Sequence, residues 1–172
     1  RHQVGLKAKI MTVVKADAYG HGLKEIASHL MNCGTNAFGI ANLKEAHDIR
    51  TRGEGWPILM LGACIPGEME YAIQQNVMVT VSTPEEVSSL SRIATQLKKQ
   101  ALIQIKIDTG MGRLGVDISQ AYDFIKQTLK LQNSTQSVAI KGIYTHLAAV
   151  EDDEKFTQSQ LTPFRSLVDQ LR

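Results

Sequence analysis

The chain has 172 residues, 43% of them hydrophobic and 21% charged, a composition typical of a globular domain with a sizeable core. The net charge of +2 argues against a nucleic-acid or anionic-membrane partner, and no basic tract with interleaved aromatic residues is present. No apolar run reaches the ~18 residues that a membrane helix requires.

The elements predicted along the chain alternate between strand and helix. Periodicity predicts six strands, over residues 10–16, 37–41, 58–62, 77–81, 102–107 and 138–144. The helices that follow them are predicted over residues 21–31, 43–50, 67–75, 84–99, 118–131 and from 155 onward.

Polar residues mark where several of these helices begin. Asn42 is a predicted N-cap, and Glu45 three residues later forms a capping-box-like pair with it. Residues 83–86 (TPEE) place Thr at the N-cap, Pro at the first helical position and Glu at the third. Asp117 is predicted to cap the fifth helix, and Gly34 is a plausible C-cap of the first.

Six strand–helix units with apolar strands and short connections predict an α/β fold, with a parallel sheet covered by helices. Their spacing resembles that of a TIM-type (β/α)8 barrel, which needs eight units and about 250 residues. Two architectures stay open: an open doubly wound sheet, or an incomplete barrel of about six units.

The ends of the chain and its cysteines suggest a cytoplasmic piece of a longer protein. RHQVGLKAKI contains neither an initiator methionine nor a signal sequence, and SLVDQLR is still in helical period at the last residue. We therefore expect both ends to lie inside a longer chain. Cys33 and Cys64 form no CxxC pair, so we expect free thiols in a reducing compartment, with a disulfide or a thiol nucleophile as alternatives.

Polar side chains follow three of the predicted strands. Lys15 lies at the end of the first strand, residues 108–113 follow the fifth, and Thr145 and His146 follow the sixth. Ligands of parallel sheets bind at the carboxyl ends of the strands. These residues are therefore predicted to meet at one rim of the sheet.

Residue parity gives Lys106 an unusual position. Alternate residues of a strand point the same way, so the isoleucines at 103, 105 and 107 share one face, which suits the layer of outer helices. Gln104 and Lys106 then point into the lumen of a barrel. A lysine there needs an anionic partner or must lose its charge.

Each candidate also has a plainer interpretation. Lys15 is either a solvated lysine at a strand end or a Schiff-base lysine, since burial favours the neutral, nucleophilic amine. Tyr19 binds a phosphate through its hydroxyl or is a half-buried aromatic. Arg113, among glycines, binds an anion or pairs on the surface with Asp117. His146 is either a site residue or a core histidine.

The glycine-rich loop over residues 108–115, DTGMGRLG, does not predict nucleotide binding. It lacks the GK[ST] ending of a Walker A loop, and its Gly110, Gly112 and Gly115 have no acidic ribose partner in the expected setting. No metal site is predicted.

Two longer stretches resemble the signatures of a known family. VVKADAYGHG (residues 13–22) and KIDTGMGRLG (residues 106–115) resemble two signatures of the alanine racemases, which are pyridoxal-phosphate enzymes of bacteria. FGIANLKEA, ILMLG and GIYTHLAA also follow that family's order and spacing, so the resemblance covers essentially the whole chain. It implies an eight-stranded N-terminal barrel, a C-terminal β domain and a head-to-tail homodimer. Residues 1–172 would then be part of the barrel, without the C-terminal domain.

The resemblance also implies roles for individual residues. Lys15 would carry pyridoxal 5'-phosphate as an aldimine and serve as one of two proton-transfer bases. Tyr19 would bind the cofactor phosphate, and Arg113 would lie beside the cofactor's phenolic oxygen and the substrate carboxylate. His146 would lie near the cofactor ring. Lys106 matches a lysine that is often carboxylated, and the resulting carbamate anion would hold Arg113 in place.

Apolar walls would come from Val13, Leu59 and Leu61. The implied activity is the interconversion of L- and D-alanine, which supplies D-alanine for peptidoglycan in the bacterial cytoplasm. Racemisation needs one base on each face of the α-carbon. The family's second base is a tyrosine of the partner's C-terminal domain, which this sequence does not contain, so we expect residues 1–172 alone to be inactive.

Other functions stay open beside this one. Serine and broad-specificity racemases have similar barrels, some of them attached to membrane domains. Small pyridoxal-phosphate-binding homeostasis proteins are single barrels that lack the DTGMGRLG loop. Decarboxylases and aldolases of related barrel type share the lysine but not Tyr19 with GHG. A non-enzymatic open-sheet binding domain would require the lysine and arginine signals to be coincidental.

Overall fold

The computed structural model describes residues 4–5 and 7–172. The chain divides into two compact units, Arg1–Val79 and Thr80–Arg172. The described residues form the strands β1 (Met11–Val13), β2 (Ala37–Ile40), β3 (Ile58–Ala63), β4 (Met78–Val81), β5 (Ala101–Asp108), β6 (Val116–Asp117) and β7 (Val138–Tyr144). The helical segments are α1 (Lys15–Gly20), α2 (Leu23–Asn32), α3 (Leu43–Arg50), α4 (Pro66–Gln74), α5 (Pro84–Leu97), α6 (Ile118–Thr135) and α7 (Glu154–Leu171).

The first unit is built on three parallel strands. β1 pairs with β2, with Met11 opposite Ala37, and β2 pairs with β3, with Phe38 opposite Ile58. Every residue of β2 is buried, as expected for a parallel strand that is covered on both faces. The ring of Phe38 also meets Trp56 edge-on, with the ring centroids 5.8 Å apart.

The second unit has a parallel pair at its centre. β5 runs beside β7 from Ala101 opposite Val138 to Lys106 opposite Tyr144, with a register shift between Ile103 and Gln104. The isoleucines at 103, 105 and 107 are fully buried, which agrees with their predicted place under the helices. β6 also pairs with β5 and was not predicted, because a strand of two residues leaves no periodic pattern.

Helix caps explain most of the element boundaries. Asn42 accepts from the amide of Glu45 at 3.0 Å, and Asp117 accepts from the amide of Ser119 at 2.8 Å. Thr83 and Glu86 form the reciprocal capping box that the TPEE stretch predicts. The capping box expected at Asn42 is only half correct, because the carboxylate of Glu45 accepts from two other amides instead.

The alternation of strand and helix confirms the predicted α/β class, and six strand–helix units are present. The first strand is shorter than predicted, since it ends at Val13 and not at residue 16. Cys33 is exposed and Cys64 is buried, and neither is part of a disulfide, as expected. In the part of the chain that the structure describes, no helix has the length and apolarity needed to cross a bilayer.

Candidate active site

Lys15 directly follows the carboxyl end of β1. The buried Val14 donates its amide to the carbonyl of Gly39 at 2.8 Å, which extends the pairing with β2 by one residue. Lys15 itself is half-buried. It therefore lies at the edge of the sheet where parallel sheets bind their ligands.

The backbone after Lys15 is left-handed. Ala16, Asp17, Ala18 and Tyr19 have φ values of 53–55° and ψ values of 36–53°. None of the four is glycine, and the left-handed conformation costs roughly 1–2 kcal/mol for each such residue. Strain of this kind persists only where the surroundings enforce it, and it concentrates at functional sites.

Short hydrogen bonds hold this segment. The amide of Ala18 donates to the carbonyl of Val14 at 2.9 Å, and the amide of Gly22 donates to the carbonyl of Asp17 at 3.0 Å. The carboxylate of Asp17 accepts from the amide of Leu23 at 2.7 Å, which satisfies a free donor at the start of α2. Tyr19, the predicted phosphate ligand, lies on the segment with 60% of its surface exposed.

The apolar residues predicted as walls lie on strands β1 and β3 of the first unit. Val13 is 36% exposed and Leu61 is half-buried, whereas Leu59 is 2% exposed. A Cβ at Gly39 would lie 3.1 Å from Cδ1 of Leu61 and 3.2 Å from Cγ2 of Val13. Val13 and Leu61 therefore flank Gly39, and Lys15 follows two residues after Val13.

In the second unit, one carboxylate organises the glycine-rich loop. Oδ1 of Asp108 accepts from the amides of Gly110 and Met111, both at 2.9 Å, and Oδ2 accepts from the amide of Gly112 at 2.9 Å. These bonds, that of Gly110 foremost, hold the pKa of the Asp108 carboxyl below its usual value. The exposed Arg113 follows directly on this ordered turn.

Gly115 closes the same loop. Its φ is +139°, and a Cβ there would lie 2.6 Å from the amide nitrogen of Asp108. Only glycine fits this close approach. β6 begins at the next residue and pairs with the end of β5. Both ends of the loop over residues 108–115, the Arg113 loop, are therefore fixed to one strand.

Tyr144 is affected by two of the predicted site residues, Lys106 at its ring and Arg113 through the pKa of its phenol. Lys106 is 4% exposed, and its Nζ lies 5.7 Å from the centroid of the Tyr144 ring. Oη of Tyr144 is hydrogen-bonded to Oγ1 of Thr80 at 2.7 Å. Burial raises the pKa of the Tyr144 phenol, while the Thr80 bond and the positive charge of Arg113 work in the opposite direction.

Sequence reasoning did not single out Tyr144, which lies opposite Lys106 in the pairing of β5 with β7. That pairing joins two strands far apart in the chain and includes a register shift, so no local pattern in the sequence shows it. The plainer interpretation of Arg113 needs the Asp117 carboxylate, which instead accepts from the amide and hydroxyl of Ser119 at the start of α6.

His146 is exposed in the part of the chain that the structure describes. Its backbone is fixed by Gln160 of α7, whose Nε2 donates to the carbonyl of His146 and to Oγ1 of Thr109, both at 3.2 Å. Oε1 of Gln160 accepts from the amide of Ala148 at 2.9 Å. Gln160 is fully buried, and no local pattern distinguishes it from any other polar residue of a helix.

The predicted site residues thus fall into two sets, each described within its own unit. Lys15 and Tyr19 share one strained segment of the first unit, with Leu61 near its base. In the second unit, Lys106 lies over the ring of Tyr144, and the charge of Arg113 lowers the pKa of the Tyr144 phenol. His146 follows Thr145, whose hydroxyl is hydrogen-bonded to that of Thr109 at 2.8 Å.

Comparison with known proteins extends over the whole chain. A family described as "Alanine racemase, N-terminal domain" matches residues 1–172. The alanine racemase of Halothermothrix orenii is 36% identical over 169 residues, covering 98% of this chain and 44% of that protein. The alanine racemase of Methylacidiphilum infernorum is 39% identical over 160 residues, covering 93% of this chain and 40% of that protein. The chain therefore spans less than half the length of these relatives.

Solved structures agree with the sequence relatives. Alanine racemase of Clostridium difficile 630 in complex with cycloserine superposes with a TM-score of 0.91 at 29% identity, covering 99% of this chain and 46% of that one. Histidine racemase of Leuconostoc mesenteroides subsp. sake superposes with a TM-score of 0.82 at 25% identity, covering 91% and 42%. The fold is thus that of part of a racemase N-terminal barrel, which decides between the two predicted architectures.

Proposed function

The chain belongs to the alanine racemase N-terminal domain family, and from this premise we propose that its parent protein interconverts L- and D-alanine with pyridoxal 5'-phosphate. The observation that carries the proposal is the place of Lys15, a half-buried amine between the end of β1 and a strained, hydrogen-bonded segment. A fixed lysine of this kind suits covalent attachment of an aldehyde cofactor.

The residues present fit that cofactor by their chemistry. The Lys15 amine would hold it covalently, the exposed Tyr19 hydroxyl would donate to its phosphate, and Arg113 would bind its phenolic oxygen. His146 would lie near the ring. When bound, pyridoxal 5'-phosphate supplies a conjugated system that delocalises the charge left on an amino-acid α-carbon.

The chain's own residues would then position the substrate and move one proton. The Arg113 guanidinium offers a planar pair of donors to the substrate carboxylate. The Lys15 amine would accept the α-proton on one face and return it in the reverse direction. The opposite face needs a second base from outside residues 1–172, by analogy with the family's homodimer.

We further propose that Lys106 is carboxylated. It is 4% exposed, on a strand with fully buried isoleucines on either side, and a buried ammonium is costly. A carbamate would convert that cation into an anion able to bind the guanidinium of Arg113. An intact-mass increase of about 44 Da that is lost at acid pH and absent from Lys106→Met would support this role. An unmodified Lys106 in protein kept under bicarbonate would contradict it.

A direct experiment tests the cofactor assignment. The full-length protein is incubated with pyridoxal 5'-phosphate, reduced with borohydride and mapped by peptide mass spectrometry. A pyridoxyl group on Lys15, absent from Lys15→Ala, is expected. A folded full-length protein without label on Lys15 would contradict the proposal, and so would full-length protein that fails to racemise alanine.

Residues 1–172 alone are expected to show no racemisation, because one of the two bases is missing. Measurable turnover by this polypeptide would contradict the two-base assignment. We also propose, from the family, that the full-length protein is a homodimer and lies in the cytoplasm.

A second candidate is the racemisation of another amino acid. The superposition on a histidine racemase supports this second candidate, since that chain shares the fold at 25% identity. Assay of the full-length protein with alanine, serine and histidine separates the two. A kcat/KM for alanine at least about tenfold above the others is expected for an alanine racemase.

A further inference from the structure

We infer that Glu45 is a positioning residue for the Lys15 amine, an inference that rests on the proposed cofactor role of Lys15. Glu45 lies in the first turn of α3 and is 7% exposed. A glutamate this buried is uncommon unless its charge is satisfied. Its side chain therefore has a specific structural use.

Both carboxylate oxygens of Glu45 are bound by backbone amides from different parts of the first unit. Oε1 accepts from the amide of Ala16 at 2.7 Å, and Oε2 accepts from the amide of Ala41 at 2.7 Å. Bonds to an ionised acceptor are shorter and stronger than neutral ones. Glu45 thereby links the end of β2 to the first left-handed residue after Lys15.

The place of the Ala16 amide gives this link its meaning. That amide belongs to the peptide that joins Lys15 to Ala16, so fixing its N–H direction fixes the plane of the peptide. The preceding peptide, which joins Val14 to Lys15, is fixed as well, because the carbonyl of Val14 accepts from the amide of Ala18 at 2.9 Å. With the peptide planes on both sides held, the direction of the Lys15 side chain is largely set.

Glu45 is itself held in place. Asn42 accepts from the amide of Glu45 at 3.0 Å, which fixes the first turn of α3. The capping-box pattern places a glutamate at this position, but the reciprocal bond to the Asn42 amide is given up. The carboxylate instead reaches a segment 29 residues away in sequence, which local helix stability alone does not require.

The orientation of Lys15 matters because attack on an aldehyde requires the amine lone pair to be aligned with the carbonyl carbon. Glu45→Gln tests this role, since an amide side chain keeps the shape but offers one acceptor oxygen, and its NH₂ group faces the second N–H. Glu45→Asp retains the charge and can still bind one amide. Glu70→Gln is the matched control, because Glu70 lies on the exposed face of α4 in the same unit.

The experiment uses full-length apo-protein and measures two quantities. The first is hydrogen exchange at the amides of Ala16 and Ala41. The second is the rate at which Lys15 is labelled by added pyridoxal 5'-phosphate, with borohydride reduction to trap the adduct at each time point. This rate is divided by the labelling rate of the exposed Lys44. The ratio corrects for cofactor concentration and for any unfolded fraction.

In Glu45→Gln, the amide that faces the new NH₂ group should exchange at least about tenfold faster, and the Lys15 to Lys44 ratio should fall about tenfold, as expected for one lost bond to a charged group. Glu45→Asp should give intermediate values, and Glu70→Gln should match the unsubstituted protein. Should Glu45→Gln not fold, Glu45→Asp decides by the same ratio.

A ratio that stays unchanged in folded Glu45→Gln, while stability falls, would reduce Glu45 to a structural residue and overturn the inference alone. Absence of label on Lys15 in the unsubstituted protein would overturn the proposed function and this inference with it. The exchange measurement in the same samples reports whether the Glu45 bonds exist in either case.

Discussion

The Nζ atom of Lys106 lies over the ring of Tyr144, 5.7 Å from its centroid. The two residues occupy matching positions on the parallel strands β5 and β7. The positive charge of Arg113 lowers the pKa of the same phenol, against the larger effect of burial. The ionisation of Tyr144 therefore reports on Arg113.

Replacing Arg113 by Gln should raise the pKa of the Tyr144 phenol further. Burial already raises that pKa, and the charge of Arg113 is one of the two influences that oppose it. Ultraviolet difference titration of tyrosinate, with Tyr144→Phe to assign the signal, measures the shift. Arg92→Gln, an exposed position on α5, is the control, and equal titration of the two variants would refute the proximity of Arg113 to the phenol.

The raised pKa of the Tyr144 phenol leads us to expect a loss of stability at alkaline pH. The folded-state pKa of Tyr144 is raised, so the unfolded state, with a tyrosine pKa of about 10, releases its proton first. The contribution of Tyr144 to the free energy of unfolding should therefore be constant below about pH 10 and should fall as the pH rises toward the folded-state pKa. Urea unfolding across this range should show a smaller fall in Tyr144→Phe.

Gly115→Ala should destabilise the protein strongly. The new Cβ would lie 2.6 Å from the amide nitrogen of Asp108, and the backbone φ of +139° disfavours any side chain. A loss of about 2–4 kcal/mol in the free energy of unfolding is expected from urea titration. Gly67→Ala provides the comparison, since nothing lies within 4 Å of a Cβ there and the site is helical. It should be neutral or stabilising by up to about 1 kcal/mol.

The Arg113 loop should loosen in acid. The amides of the loop hold the pKa of Asp108 below its usual value. The Asp108 carboxylate therefore stabilises the folded loop fully above about pH 4, and this stabilisation is lost as the pH falls through the lowered folded-state pKa. Hydrogen exchange at Gly110, Met111 and Gly112, corrected for intrinsic rates, should increase over that range. Asp108→Asn should exchange fast at every pH, whereas Asp123→Asn, on an exposed part of α6, should behave as the unsubstituted protein.

Arg113→Lys in the full-length protein should lower kcat/KM by about 10- to 100-fold. A lysine keeps the charge but cannot offer two parallel donors to a carboxylate. Steady-state racemisation, with the amount of bound cofactor measured in the same sample, checks this. Full turnover in Arg113→Lys would show that the guanidinium has no role in the reaction.

Much of the fold could be predicted because its signals are local. The caps at Thr83 and Asp117 and the bounds of the strand over residues 138–144 need only neighbouring residues to be recognised. Parity likewise predicted which residues of β5 are buried, because a strand covered by helices must turn its isoleucines toward them.

The features that were missed depend on contacts between distant residues. Nothing in the sequence ADAY predicts four left-handed residues, since alanine and tyrosine avoid that conformation unless tertiary bonds impose it. The partner of Glu45 lies 29 residues away, and that of Gln160 lies 51 residues away. A local pattern could name Glu45 as a helix-start residue but could not show where its carboxylate binds.

Gln160 has a consequence for the order in which the protein matures during synthesis. Its side chain bridges Thr109 and the His146 carbonyl, so the Arg113 loop cannot gain that support until α7 has left the ribosome. At about 5–20 residues per second, the 51 residues between Thr109 and Gln160 take roughly 3–10 s to translate. The residues that form the link between Glu45 and the segment after Lys15 are all synthesised by residue 45, well before the Arg113 loop gains its support.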